Sequence, residues 1–322
     1  MSPGFFTIDL PAALTGAFAC LVCGLLGNFL ILRRQALVGD AISHVVLPGI
    51  VAAFLITGTM TAGPVMLGAM GAALVAVGLI EAVRRLGGLE PGAAMGVVFT
   101  IMFAGGIVLL EQYELGGAHI SADHVLYGNL EGAIWIGPQG WADVINPGFW
   151  PSLPRPLVTL SGVTAFIAAV IVIFFKELKI TTFDPGLAAA LGFAPRLVGF
   201  ALMFLTALAA VAAFEAVGSI LVIAMFICPA ATARMLTDSL AAQIWLSAAV
   251  SVLAAFSGYV LAAFGPFWLG AENSLNAAGM IAVAAGILQL LAMVFAPRYG
   301  ALARTLARRR EGRRQRRARA TA

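Results

Sequence analysis

Charge is scarce in this sequence. Asp, Glu, Lys and Arg make up 11% of its 322 residues, against 61% hydrophobic, and the mean hydropathy is +1.00. Average soluble domains carry about 25% charged residues, so this composition argues against a water-soluble body. Cysteine is scarce too: three residues do not make a disulfide framework. Cys20 and Cys23 form a C-x-x-C, but inside an apolar run, where small packing residues suit better than a redox or metal pair. Cys228 also falls in an apolar run. The pattern G-x-x-x-x-G-K-[ST] is absent, which argues against a P-loop nucleotide site. So is H-E-x-x-H, and only one histidine, His44, falls in an apolar run, which argues against an intramembrane catalytic zinc centre. The stretch Met1 to Leu10 has no basic residue, so the first apolar run reads as a retained span, not a signal peptide.

What the chain does have is long apolar runs, repeated along its whole length. Runs at about 11–32, 41–58, 61–82, 91–110, 157–175, 197–214, 216–233, 240–264 and 275–296 predict an all-α fold of nine transmembrane helices. The second opens on Asp40 and His44 and is the least apolar. Glu215 alone separates the sixth from the seventh, which reads either as a tight hairpin or as one broken segment. Glycine is abundant, with 36 residues, as expected where membrane helices pack closely.

Basic residues set the orientation. Arg33, Arg34, Arg84, Arg85, Lys176, Lys179, Arg196 and Arg234 all fall on one side if the N-terminus is outside and the C-terminus cytoplasmic; Arg155 is the exception. This predicts a multi-pass protein of the cell (inner) membrane, with a transmembrane domain over 1–300 and a basic cytoplasmic tail over 301–322. Nine of the 19 basic residues are arginines between Arg304 and Arg319. A tail of this kind behind a last span reads as a cytoplasmic stop signal in touch with anionic membrane lipid, not as a nucleic-acid site.

The loop from Glu111 to Pro156 would be external. It holds Glu111, Glu114, Asp123, Glu131 and Asp143, and no Lys or Arg as far as Leu153. That makes it either an acidic vestibule that concentrates cations or an ordinary solvated loop. His119 and His124 within it read either as aids to metal capture or as plain surface histidines. Trp141, Pro147, Trp150, Pro151 and Pro154 suggest an irregular segment at the headgroup level.

A carboxylate inside a membrane helix costs about 2.5–3.5 kcal/mol on insertion scales, so Asp40 needs a reason. His44 lies four residues on and shares its helix face, with Ser43 one position off it. A carboxylate with an imidazole suits Mn, Fe or Zn. The other reading is an Asp–His pair that caps the helix near the inner interface. Pro48-Gly49 follows and predicts a helix break that frees backbone carbonyls nearby. Pro229 predicts a kink in the seventh run, and Glu215 is a further candidate pathway carboxylate. On the cytoplasmic side, Asp184-Pro185 is a helix-start signal and Gly192 a stop, giving about two turns that serve as a docking element or a connector.

These stretches together resemble one family, the ABC permeases for zinc, manganese and iron uptake. Arg34-Gln35-Ala36-Leu37-Val38-Gly39-Asp40-Ala41-Ile42-Ser43-His44 through Leu47-Pro48-Gly49 is similar to its signature after the first span. Phe183-Asp184-Pro185, Ala188 and Ala190-Leu191-Gly192 resemble its cytoplasmic coupling segment. Val217-Gly218, Leu221-Val222 and Pro229-Ala230-Ala231-Thr232-Ala233-Arg234 resemble its late-span signature, and Leu126-Tyr127-Gly128-Asn129 a weaker motif. Residues 131–156 and the arginine tail extend beyond the pattern. The resemblance implies a permease without its own ATPase site or permanent cofactor. Its cargo is a divalent metal ion, Mn, Zn or Fe, held in passing by Asp40 and His44. It implies a cytoplasmic ATPase subunit docked on Phe183, Asp184, Pro185, Ala188, Leu191 and Gly192. It also implies a second permease copy, identical or paralogous, and a periplasmic or lipid-anchored metal-binding protein. The rival readings are a siderophore- or cobalamin-type permease and a stand-alone secondary transporter.

Overall fold

The computed structural model describes residues 4–59, 61–112, 130–136, 140, 143, 146–268, 270, 274–297 and 299–303. Every regular element among them is helical. A π-helical turn, Phe5–Asp9, runs straight into α1 (Leu10–Leu32). Then come α2 (Val38–Thr57), α3 (Ala62–Gly87), α4 (Pro91–Gln112) and α5 (Arg155–Ile173). Two short helices, α6 (Phe175–Phe183) and α7 (Pro185–Ala190), lead to α8 (Pro195–Val217), α9 (Ser219–Leu236), α10 (Leu240–Trp268) and α11 (Ala277–Phe295). Short 3-10 turns at Leu130–Gly132 and Pro147–Ser152 interrupt the segment before α5.

All nine apolar runs are helices, of which at least eight are long and apolar enough, over the described residues, to cross a membrane. The helix α9 runs over 18 residues, Ser219–Leu236. α9 is packed between α1, α10 and α11, with Val222, Met225, Phe226 and Ala230 buried. The first span also begins earlier than expected, at Phe5.

α1 is the central post. Ala12, Ala19, Cys20, Cys23, Leu26 and Phe29 expose no surface, and α5, α8, α9 and α10 all pack on it. This agrees with Cys20 and Cys23 as packing residues. α2, α3 and α4 form a second group joined to the first through α8 and α9. Large side chains on the outside, such as Leu67, Ile101, Val172, Trp245 and Leu290, are exposed, as lipid-facing residues must be.

Close crossings rely on small residues. Gly49 on α2 and Gly68 on α3 lie against each other's backbone, with no room for a Cβ on either. On α1, Gly27 lies in the same way against the backbone of Phe226.

Two local expectations are corrected. The predicted break at Pro48-Gly49 does not occur: α2 runs through Pro48 to Thr57. Gly106 of α4 makes the room, because a Cβ there would stand 2.9 Å from the proline ring. Likewise α9 runs through Pro229. The chain turns instead at Gly218, which alone separates α8 from α9. Its φ of 82° and ψ of 159° belong to a region that essentially only glycine enters.

Candidate functional site

Asp40 sits in the first turn of α2, where the helix dipole favours a negative charge. His44 follows one turn later, and its Nε2 stands 3.4 Å from Asp40 Oδ1. Two donors about 2.1 Å from one ion and at a tetrahedral angle are themselves about 3.4 Å apart. The pair therefore has the spacing of one edge of a tetrahedral metal shell. The His44 ring is stacked on Phe99 (5.2 Å between centroids, 24° between planes) and meets Phe103 edge-on at 5.3 Å. Both phenylalanines belong to α4, so the neighbouring helix sets the imidazole's orientation. The His44 and Asp40 side chains keep 40% and 30% of their surface open, enough for an ion to reach them. No side chain serves as N-cap of α2, and the Asp40–His44 contact in its first turns is compatible with both the metal reading and the Asp–His pair at the helix start.

Pro48 adds an oxygen to the inventory. It has no N–H, and the residue four before it is His44. The carbonyl of His44 therefore lacks its partner in the helix ladder although the helix is unbroken. Among the described residues no three His, Cys, Asp or Glu side chains are grouped to hold a metal. Among the described residues one chain thus offers two side-chain ligands here, fewer than a transition metal's full shell.

The other candidates do not join this pair. Glu215 lies near the end of α8 that leads to Gly218, with one carboxylate oxygen buried and unpartnered. That is about 24 Å along α8 from Gly199, the residue on which Arg33 packs. Asp40 and His44 stand within about 10 Å of the start of α2, near the Arg33 end. His119 and His124 lie outside the described residues, and so does the side chain of Ser43.

The segment from Phe183 to Gly192 is as compact as its caps suggest. The Asp184 carboxylate accepts from the Leu187 N–H at 2.9 Å, and Pro185 opens α7. At the other end Gly192, with φ 85°, donates to Ala189 at 3.1 Å and Phe193 to Ala188 at 3.0 Å, a Schellman closure. Ala188 is fully buried, whereas Phe183, Leu187 and Leu191 are exposed. Ala188 thus seats the helix, and the three large side chains form an apolar knob. Arg33, just past α1, donates to Thr182 at 3.1 Å and Thr181 at 3.0 Å, which ties the end of α1 to α6.

Some structurally important residues carry no sequence signal of their own. Asn28 on α1 donates to Ser247 on α10 at 2.6 Å, and near Ser247 on that helix Gln243 is fully buried. Trp135 is buried and donates to the Phe149 carbonyl at 3.2 Å, while its backbone N–H bonds to Thr7 at 2.8 Å. Glu131, an acid of the expected vestibule, accepts from the Ala277 N–H at 3.0 Å and serves the start of α11. Tyr259 donates to Asp9 at 2.8 Å.

Comparison with known proteins places the chain in a family. The profile of the ABC 3 transport family matches residues 6–134 and 154–296. The internal residues it passes over, 135–153, lie inside the 131–156 segment, where the sequence extends beyond the pattern. The chain is 36% identical over 293 residues to the manganese transport system membrane protein MntD of Bacillus subtilis (strain 168), covering 91% of this chain and 93% of that one. It is 36% identical over 303 residues to the zinc transport system membrane protein TroD of Treponema pallidum (strain Nichols), covering 94% of this chain and 78% of that one. Among solved structures, PsaBC from Streptococcus pneumoniae in complex with Fab aligns with a TM-score of 0.71 at 30% identity, over 92% of this chain and 95% of that chain. With the profile covering most of its length, the chain belongs to the ABC 3 transport family and is a multi-pass protein of the cell membrane.

Proposed function

We propose that this chain is the permease subunit through which an ATP-driven importer passes a divalent transition metal, Mn, Zn or Fe, into the cytoplasm. The observation that carries the reading is the Asp40–His44 pair, 3.4 Å apart on one face of α2 and accessible from outside the chain. The manganese and zinc transport names of the relatives support the same class of cargo.

A binding protein outside the membrane delivers the ion. Asp40 and His44 replace part of its hydration shell. Two ligands per chain become four across two copies, a sufficient transition-metal shell. Holding must be brief, because a site that binds too tightly does not conduct. A cytoplasmic ATPase subunit docks on the knob of Phe183, Leu187 and Leu191. Its closure moves α7 and, through Arg33, the end of α1 and the start of α2. The convergence of Arg33, Arg34, Arg84, Arg85 and Arg196 at one end of the bundle supports a cytoplasmic location for that end, with the N-terminus outside.

The test is metal uptake into proteoliposomes holding this chain, its ATPase subunit and the binding protein. Asp40→Ala and His44→Ala should each reduce ATP-dependent uptake to the level seen without ATP, while ATPase assembly persists. Wild-type uptake in both variants removes the site. Uptake by this chain without the ATPase would favour a secondary transporter.

A further inference from the structure

The basic end of the bundle holds an open cavity of about 420 Å³ that the metal site does not use. Arg33 and Arg34 reach it from the turn between α1 and α2, Arg84 and Arg85 from the last turn of α3, and Arg196 from the start of α8. Glu81 is the one carboxylate on its wall. Arg84 and Arg85 already hold Glu81, at 2.8 and 2.6 Å. Among the described residues Arg33, Arg34 and Arg196 have no carboxylate partner. Arg33 bonds to two hydroxyls only, and burial lowers its pKa from the usual guanidinium value. That is a partly desolvated cation without a counter-charge.

Two further features mark the cavity. Gln35 stands in its wall and is 8% exposed. Arg34 has a φ of 57°, the one positive φ outside glycine among the described residues. Strain of that kind gathers at binding sites. Topology asks only that basic residues lie on this side. It does not ask three separate stretches of chain to bring guanidiniums to one cavity.

We propose that this cavity binds a phosphate-bearing anion, the chemistry shared by an anionic phospholipid headgroup and free phosphate. Basic pockets between membrane helices on the cytoplasmic side suit such groups, and arginine grips phosphate through paired N–H donors. Thr181, Thr182 and Pro185 line the same cavity. A bound anion therefore bridges α6–α7 to the turn that leads into Asp40, and its occupancy adjusts how docking is passed to α2. The site stands without the transport reading; its effect on uptake rests on that reading.

The test uses the full chain in nanodiscs. Lipid retention is read by native mass spectrometry as phosphatidylglycerol replaces phosphatidylcholine. Binding of labelled inorganic phosphate is read in phosphatidylcholine discs. Arg34→Gln and Arg196→Gln should each weaken the bound anion about fivefold, with Arg34→Lys keeping most of the binding. Arg155→Gln, at the opposite end, should change nothing. Phosphatidylglycerol that resists displacement by phosphate identifies a headgroup site; phosphate binding without anionic lipid identifies a free-phosphate site; either supports the proposal. It is overturned if wild type binds neither anion, or if both Gln variants bind as wild type does. Loss of the ATPase subunit with anion binding intact also overturns it, since the arginines then serve an acidic protein surface. Should Arg34→Gln fail to fold, Arg196→Gln at the exposed start of α8 decides alone.

Discussion

A single imidazole carries much of the account, and its neighbours decide where it points. Phe99 and Phe103 fix the His44 ring at centroid distances of 5.2 and 5.3 Å. Aromatic pairs of this kind are worth about 0.5–1.5 kcal/mol. Replacing both phenylalanines by Leu should therefore weaken apparent metal affinity by up to about tenfold, seen as a raised KM for uptake with Vmax largely kept. An unchanged KM would show that the ring needs no cradle. Asn28 is a different case: its bond to Ser247 joins α1 to α10 inside the membrane. Asn28→Ala should cost about 0.6–1.7 kcal/mol, read as a lower unfolding midpoint in detergent with metal specificity unaltered. Asp40 and His44 were visible in sequence because a carboxylate and an imidazole one turn apart stand out in an apolar run. Asn28 was not. One amide carries no periodicity, and its partner lies 219 residues away.

Among the elements, α7 was the most legible, because caps are local. Asp184, Pro185 and Gly192 define a helix from adjacent residues alone, and the bonds at 2.9, 3.0 and 3.1 Å follow. Asp184→Ala should cost about 1 kcal/mol of local stability. Its readout is faster amide exchange in 186–191 and weaker ATPase assembly, with metal binding at Asp40 and His44 intact. Leu191→Asp, which puts a charge in the exposed knob, should abolish assembly while leaving the fold unchanged; normal assembly would move the docking surface elsewhere. Pro48 shows where local rules stop. A proline in a run predicts a break, yet α2 continues, since Gly106 on another helix gives the ring space. That contact is tertiary and has no trace in the run itself. Gly106→Leu should therefore disturb α2 more than any change of the same size on the lipid face, by about 1–3 kcal/mol of overpacking.

For the whole molecule, the pattern of apolar runs was enough to place the long helices but not to say how they pack. Hydropathy treats α9 as equal to its neighbours, while the bundle sets it between α1, α10 and α11. The same packing gathers arginines distant in sequence at one end and leaves Glu215 toward the other, a separation that no motif encodes. On the proposed function the two ends have different tasks, with Glu215 toward the delivery end and the Asp40–His44 pair toward the docking end. Metal would then pass between them, and the chain has three histidines to meet it, His44, His119 and His124. Pulsed electron paramagnetic resonance of Mn(II) bound to the full assembly separates them. The account predicts nitrogen coupling from an imidazole that disappears in His44→Ala and survives in His119→Ala and His124→Ala. Nitrogen coupling undiminished in His44→Ala would contradict it.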